Sequence, residues 1–472
     1  MEKRIVIGRG VLFAAAALSA AYGCERPNPY KLQGDTSAVY EDCPTPSTGS
    51  GDGSTVATTG GNGATTGGNG SGATSGGNGS GATTGGSTGS GMVEEPVHTE
   101  LDDRVLDYSE ALRTASLLLV NDAPTLAQIY ALADAPEADR PAKYQEMIDA
   151  MLADARFAKA MIGYFKYTFK MGGASTVMGE PTRDTAPNFA ARVVFEEQPW
   201  TNILTAAANT CPTYSTVGGF QDGECTNLPM GMMHAGILTN PGVHSLYVGN
   251  LGFRRNRFFH ETFLCRSGNE DSGGEPAGGN APQDAPCPSD PMSMVAPGYN
   301  NKWPVSSIAG ACNGGRVDFH AYNTTIICAN CHSTWNHRAP LFAQFDSKGM
   351  WKAVNPDGTY QVQVPVDGSP FAKITDWLPD GQQQTAWKFG MPAANLTEMG
   401  TQMAGDDEVL ECAVKRVWNY AMARGDTTTI GGGNWVDAPK HLPVLVKSFK
   451  EGNYNMKSVL RAVVLSDEFV RF

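Results

Sequence analysis

Cys328-Ala329-Asn330-Cys331-His332 has the spacing C-x-x-C-H, that of a covalent haem c attachment site. Two thiols at this separation can each add to one vinyl group of a single porphyrin. The histidine that follows then lies beneath the ring and offers the iron a proximal nitrogen. With 10 Cys and 8 His in 472 residues, accident supplies the motif in roughly 0.4% of such chains. The competing readings are a CxxC disulfide and half a zinc site. Zinc needs a second Cys or His pair at ligand spacing, and none stands nearby. Haem c is attached outside the cytoplasm, so the reading requires export.

The start of the chain meets that requirement. Glu2-Lys3-Arg4 leans basic, and Val11 to Ala21 is an apolar run too short for a permanent membrane helix. Residues 1–23 are therefore expected to be a signal peptide. Gly23-Cys24 resembles a bacterial lipoprotein cleavage box, in which Cys24 becomes the lipidated first residue; ordinary cleavage after Ala21 or Gly23 is the alternative. Residues 24–95 read as a tether. Positions 48–91 are nearly all Gly, Ser, Thr, Asn and Ala, and such a stretch buries too little apolar surface to offset its ordering entropy. About 50 such residues span roughly 40 Å as a flexible coil.

The net charge of −13 favours neither a nucleic-acid groove nor a basic membrane face. Ten cysteines suit an oxidising compartment. Beyond Cys24, Cys328 and Cys331 there remain Cys43, Cys211, Cys225, Cys265, Cys287, Cys312 and Cys412. Cys211–Cys225 and Cys265–Cys287 are the sensible local pairs, and the odd count leaves one thiol free or paired between chains.

From Leu101 onward the apolar spacing is helical. A first helix is expected over 103–120 through Val105, Leu106, Ala111, Leu112, Leu117 and Leu118. Thr125 caps a second, running through Leu132. Pro141 suits the first turn of a third, with Tyr144, Ile148 and Leu152. A fourth runs from Arg156 to Met171, with Phe157, Met161, Phe165 and Phe169, and stops at Gly172-Gly173. Val193-Val194-Phe195 fits a short strand or a helix end, and Trp200 to Asn209 reads as helical. Arg254 to Cys265 reads as a helix whose three arginines and His260 face either solvent, a haem propionate or an acidic partner. A short helix over 317–327 would deliver the haem motif. Asp406 caps a long helix over 405–424, and Asn455 caps the last one.

Segments scattered over 101–472 resemble the planctomycete-type cytochrome c proteins, an exported family of largely uncharacterised function. They are Cys328 through Phe345-Asp346-Ser347-Lys348-Gly349-Met350-Trp351, and Pro365-Val366-Asp367-Gly368. Gly236-Ile237-Leu238-Thr239 and Phe263-Leu264-Cys265-Arg266 match the approach to the motif. Asp154-Ala155-Arg156-Phe157 fits the opening helices, and Glu411-Cys412-Ala413-Val414, Tyr420-Ala421 and Ser458 to Phe469 fit the closing ones. The chain departs from the family's Met-Asp-Pro-x-Gly after the motif, having Trp335-Asn336-His337-Arg338-Ala339-Pro340 instead. The region after Cys265 is also longer and richer in Cys.

These readings imply a mainly α fold: a helical module over 101–235, a connecting region with a Cys-rich loop over 236–315, and a cytochrome c-like haem module over 316–472. They imply one covalent haem c on Cys328 and Cys331, with His332 as proximal ligand. Gly390-Met391-Pro392 makes Met391 the leading distal ligand, because Gly permits close approach and Pro fixes the backbone. Met399, Met403 and His337 are the lesser candidates, and an open sixth position is the remaining one. Trp377 and Trp387 either shield the haem or fill core. The expected protein is an extracytoplasmic, lipid-anchored electron carrier with a redox partner protein and no nucleic acid. The rivals are a haem-dependent oxidoreductase or its redox accessory, and a haem-free surface interaction protein. No Ser-His-Asp set, phosphate loop or carboxylate pair argues for a hydrolase.

Overall fold

A computed structural model describes residues 104–175, 177–266, 301–310, 326–364, 371–381, 383–424 and 441–472. The export segment with Cys24, the tether, Cys43, Cys287, Cys312, most of the helix expected over 317–327 and the turn at 365–368 lie outside these residues. The described fold is mainly helical.

The opening helices start where short polar side chains can take up free backbone N–H groups. Helix α1, Tyr108–Val120, is capped by Asp107, which accepts from the Ser109 and Glu110 N–H groups. Helix α2, Leu126–Ala133, carries a capping box between Thr125 and Gln128. Helix α3, Arg140–Ala153, has Pro141 in its first turn. Helix α4, Ala155–Thr168, is capped by Asp154. Phe157, Met161, Phe165 and Phe169 on and just beyond α4 are buried as expected. Each such side chain contributes about 1.5–3 kcal/mol on burial.

The apolar stripe of α1 is displaced from the expected one. Ala111, Leu112, Ala115 and Leu119 face the core, whereas Val105 and Leu106 precede the helix and Leu117 is 50% exposed. Leu106 instead bridges to Arg471, flanked by bonds from Val105 N to Phe472 O and from Phe472 N to Val105 O.

Helix α5, Thr185–Phe195, settles Val193-Val194-Phe195 as a helix end. The helix expected from Trp200 to Asn209 shrinks to α6, Asn202–Thr205. Its onward bonds are taken by a distant segment: Ile203 O accepts from Ile237 N, and Ala206 O from Gly236 N. A Cβ at Gly236 would stand 1.9 Å from Ile203 O, so this approach requires glycine. Strands β1, Thr213–Ser215, and β2, Gly219–Gln221, form a hairpin inside the loop closed by the expected Cys211–Cys225 disulfide.

Asn240 caps α7, Pro241–Leu246. Helix α8, Phe253–Leu264, follows, and Cys265 ends it in the left-handed region. The expected Cys265–Cys287 pair is replaced by Cys265–Cys412, 147 residues apart in sequence with Cα atoms 5.4 Å apart. The long bridge forms because the end of α8 lies against a closing helix, a neighbour that loop composition cannot reveal.

Helix α9, Ile326–Phe342, precedes two small antiparallel pairs. The first is β3, Thr359–Gln363, with β4, Phe371–Lys373; the second is β5, Ala386–Lys388, with β6, Met391–Pro392. Leu251, Phe253, Ala339, Tyr360, Trp377 and Leu378 share a satellite core there. Then come α10, Leu396–Ala404, and α11, Asp407–Ala421, the latter capped by Asp406 as expected. Helices α12, Leu442–Glu451, α13, Met456–Val464, and α14, Asp467–Val470, close the chain, with Asn455 capping α13.

The closing helices return to the opening ones. Tyr144 Oη donates to Val464 O at 2.9 Å, Tyr420 Oη donates to Leu118 O at 2.9 Å, and Arg461 pairs with Asp149. One main core thus takes side chains from both ends of the folded part.

Candidate functional site: helix α9

Helix α9 runs through all five positions of the C-x-x-C-H motif. At 3.6 residues per turn, positions 328, 331, 332 and 335 fall on one side. That side is incompletely covered: Cys331, His332 and Trp335 are each half-buried. The far side and both flanks are polar yet buried, with Asn330, Ser333 and His337 opposite the motif and Asn336 and Arg338 beside it, all at 1% exposure or less.

Burying polar groups costs free energy unless each finds a partner; most of these do, and His337 Nε2 has none among the described residues. Asn301 donates from its side chain to Asn330 O at 2.6 Å and to Thr334 Oγ1 at 2.7 Å. His337 Nδ1 donates to Gln384 O at 2.6 Å, and its ring stacks on Trp303 at 3.5 Å. Arg338 donates from Nε to Trp387 O and from Nη1 to His260 Nδ1 at 3.0 Å, with its guanidinium 4.0 Å over the Trp387 ring. Trp387 Nε1 donates in turn to Asp406 Oδ2 at 2.7 Å, which also pairs with Lys388.

His332 is held with similar care. The Asn336 amide nitrogen donates to Trp377 O at 2.8 Å, so its oxygen is the acceptor facing His332. His332 Nδ1 lies 3.1 Å from that oxygen, so it carries the ring proton and Nε2 keeps a lone pair. Burial pushes the His332 pKa below the ordinary histidine value, against the Asn336 bond. The ring is therefore neutral at physiological pH, the form that ligates metal.

Phe253 meets His332 edge-on, with ring centres 4.9 Å apart. It is placed there by Gly252, whose φ of +79° turns the chain into α8 where a Cβ would stand 3.1 Å from Ala339 O. Trp335 flanks His332 at 6.4 Å, and among the described residues its buried Nε1 has no acceptor.

The donor set fits an iron porphyrin. Two cysteine positions and an imidazole whose lone pair is on Nε2 share one helix side, aromatic rings border it, and the Trp335 indole N–H, without an acceptor among the described residues, suits a propionate oxygen. Among the described residues no group of three or more His, Cys, Asp or Glu could hold a bare metal ion. None of their helices is long and apolar enough to cross a membrane.

Met391 opens β6, directly after Gly390 at φ +81°, and is half-buried against the main core. Its hairpin is joined to α9 through Arg338 and Trp387, six residues or about 9 Å of helix beyond His332. Among the described residues no hydrogen bond or ring contact joins Met391 to His332. Met399 and Met403 are packed at 0% exposure within the main core. His337 lies on the buried side of α9, away from the motif side. Trp377 and Trp387 are fully buried, with the Trp377 indole donating to Leu251 O.

Arg255 and His260, expected to face solvent, a haem propionate or an acidic partner, are instead buried in the protein. Arg255 is fully buried and clamps backbone carbonyls, and His260 is buried against Arg338. Asn336 was missed, although its position one turn after His332 is the helical spacing for a side-chain contact. No family model, curated protein or solved structure matches this chain.

Proposed function

We propose that the chain is an extracytoplasmic, lipid-anchored mono-haem c-type cytochrome that transfers electrons. Cys328 and Cys331 would hold the haem c covalently, with His332 as proximal and Met391 as distal iron ligand. The bound haem supplies a centre that exchanges one electron at a time. The observation that carries the reading is the His332–Asn336–Trp377 relay, which puts the ring proton on Nδ1 and the lone pair on Nε2 of a neutral imidazole one and four residues beyond the two motif cysteines. Asn336 fixes the tautomer and ring plane, and so makes the nitrogen a better donor. Phe253 and Trp335 restrict water beside the ring. Lipidation of Cys24 and the tether after it would keep the module near a membrane while allowing it to reach a redox partner protein.

The test is a visible spectrum of protein matured in a haem c-attaching host. Electron transfer predicts a low-spin reduced haem indifferent to carbon monoxide, and M391A should then bind it. Ready carbon monoxide binding by the unaltered protein would assign an exchangeable sixth position and a catalytic role. Colourless protein would leave a haem-free interaction module.

A further inference from the structure

Asn227 and Ala235 close a short loop on one residue, Thr239. The Asn227 amide donates to Thr239 O at 2.9 Å, and Ala235 N donates to Thr239 Oγ1 at 3.0 Å. The same amide donates to Gly349 O at 2.9 Å, and the Asn227 main-chain carbonyl accepts from Trp351 N at 3.0 Å. The base of the loop is therefore fixed to a second segment, and Asn227, His234 and Ala235 are buried there. Between them Pro229-Met230-Gly231-Met232-Met233 is exposed. A β-turn shapes this run: Met232 N donates to Pro229 O at 3.1 Å, with Gly231 at φ +87° in the third position.

Methionine ordinarily fills cores. Here Met230 is fully exposed, and Met232 and Met233 are 41% and 60% exposed. Met350 is also exposed and sits between Gly349 and Trp351, the two residues bonded to Asn227. Four of the five exposed methionines among the described residues thus belong to this loop or its base. Packing does not account for such a run.

What the run offers is sulfur. Three uncharged thioethers stand on flexible arms within four residues, and soft donors of this kind select Cu(I). His234 ends the run but belongs to the base. Its ring is bonded to the Cys225 backbone and lies 3.4 Å from Thr239 Oγ1. The closed base already confines the arms, which lowers the ordering cost when they converge on one ion.

We propose that Met230, Met232 and Met233 form an external Cu(I) site of three thioethers. The site shares no residue with α9 and stands whether or not haem is attached. Full-length protein with its free thiols alkylated is dialysed without oxygen against a Cu(I)–bicinchoninate buffer, and bound copper is counted by elemental analysis. The unaltered protein should take up one Cu(I) more than M230L/M232L/M233L, with a Kd of ~1 µM or tighter. Each single leucine variant should weaken uptake by ~10-fold or more, whereas M178L, at an exposed methionine outside the loop, should stay within ~3-fold. Zn²⁺ should bind at least ~100-fold more weakly than Cu(I). Leucine keeps the size and apolar character of methionine, and unchanged thermal unfolding midpoints tie any loss to the sulfurs. Equal uptake by the unaltered protein and the triple variant, no uptake at ~10 µM free Cu(I), or Zn²⁺ bound as tightly as Cu(I) would overturn the site.

Discussion

His332 Nδ1 and Asn336 Oδ1 lie 3.1 Å apart, one helical turn from each other on α9. The contact decides which imidazole nitrogen carries the proton, and the Trp377 carbonyl decides which end of the amide faces the ring. A backbone oxygen in another element thus fixes the chemistry of the motif histidine. N336A should destabilise the fold by about 1–3 kcal/mol, since Trp377 O loses its donor in a buried place. It should also weaken axial ligation by about 10- to 100-fold, read from the spectrum as ligand loss. N336A with unaltered stability and spectrum would remove the relay from the account.

Arg255 is a buried clamp. Its five donor contacts, all 3.0 Å or shorter, go to the carbonyls of His244, Phe342, Phe345 and Asp346, tying α7 and α8 to the chain that leaves α9. Burial lowers its pKa to about 10, so it remains charged at neutral pH. R255A should cost about 3–5 kcal/mol in denaturant unfolding, and R255K should recover only part because an ammonium cannot fork.

The two disulfides should differ in weight. Cys265–Cys412 closes 147 residues and Cys211–Cys225 closes 14. Loop-closure entropy then gives about 3 kcal/mol for the short bridge and up to about 5 for the long one. Paired serine variants, C265S/C412S against C211S/C225S, measure this by their unfolding midpoints. A larger loss in the short-loop pair would contradict the assignment.

Acid should destabilise the fold from the histidine range downward. Burial lowers the His337 pKa from 6.5 to about 4. Burial, and then the Arg255 and Arg338 charges respectively, hold His244 and His260 well below the ordinary value. The unfolded chain thus takes up protons that the folded chain refuses. Stability is complete above the unfolded pKa of 6.5 and is lost as pH falls toward the folded values. Each histidine contributes a slope of up to about 1.4 kcal/mol per pH unit. Denaturant midpoints should be flat above pH ~7 and fall between pH ~6.5 and ~5; no change across that window would show that these rings are not held neutral.

Much of the helical frame was legible because its signals are local. Thr125, Asp406 and Asn455 cap helices that the apolar spacing already outlined. What stayed hidden depends on distant partners. The segment after Thr205 leaves helix because Gly236 and Ile237 take its carbonyls. Arg254 and Arg255 look alike in sequence, yet one residue of helical phase sends the first to solvent and the second to the core. The motif was legible as five letters, whereas the buried polar side of α9 that supports it was not. Its amides and histidine read as surface until Asn301, Gln384 and Trp377 are placed against them.

The central claim is the covalent haem, and the most direct measurement is haem staining of a denaturing gel together with intact mass. Protein exported from a host that attaches haem c should stain, and its mass should exceed the mature polypeptide and any lipid by one haem. C328S/C331S should lose both signals. An unstained band from the unaltered protein, at the mass of polypeptide plus lipid alone, would contradict the account.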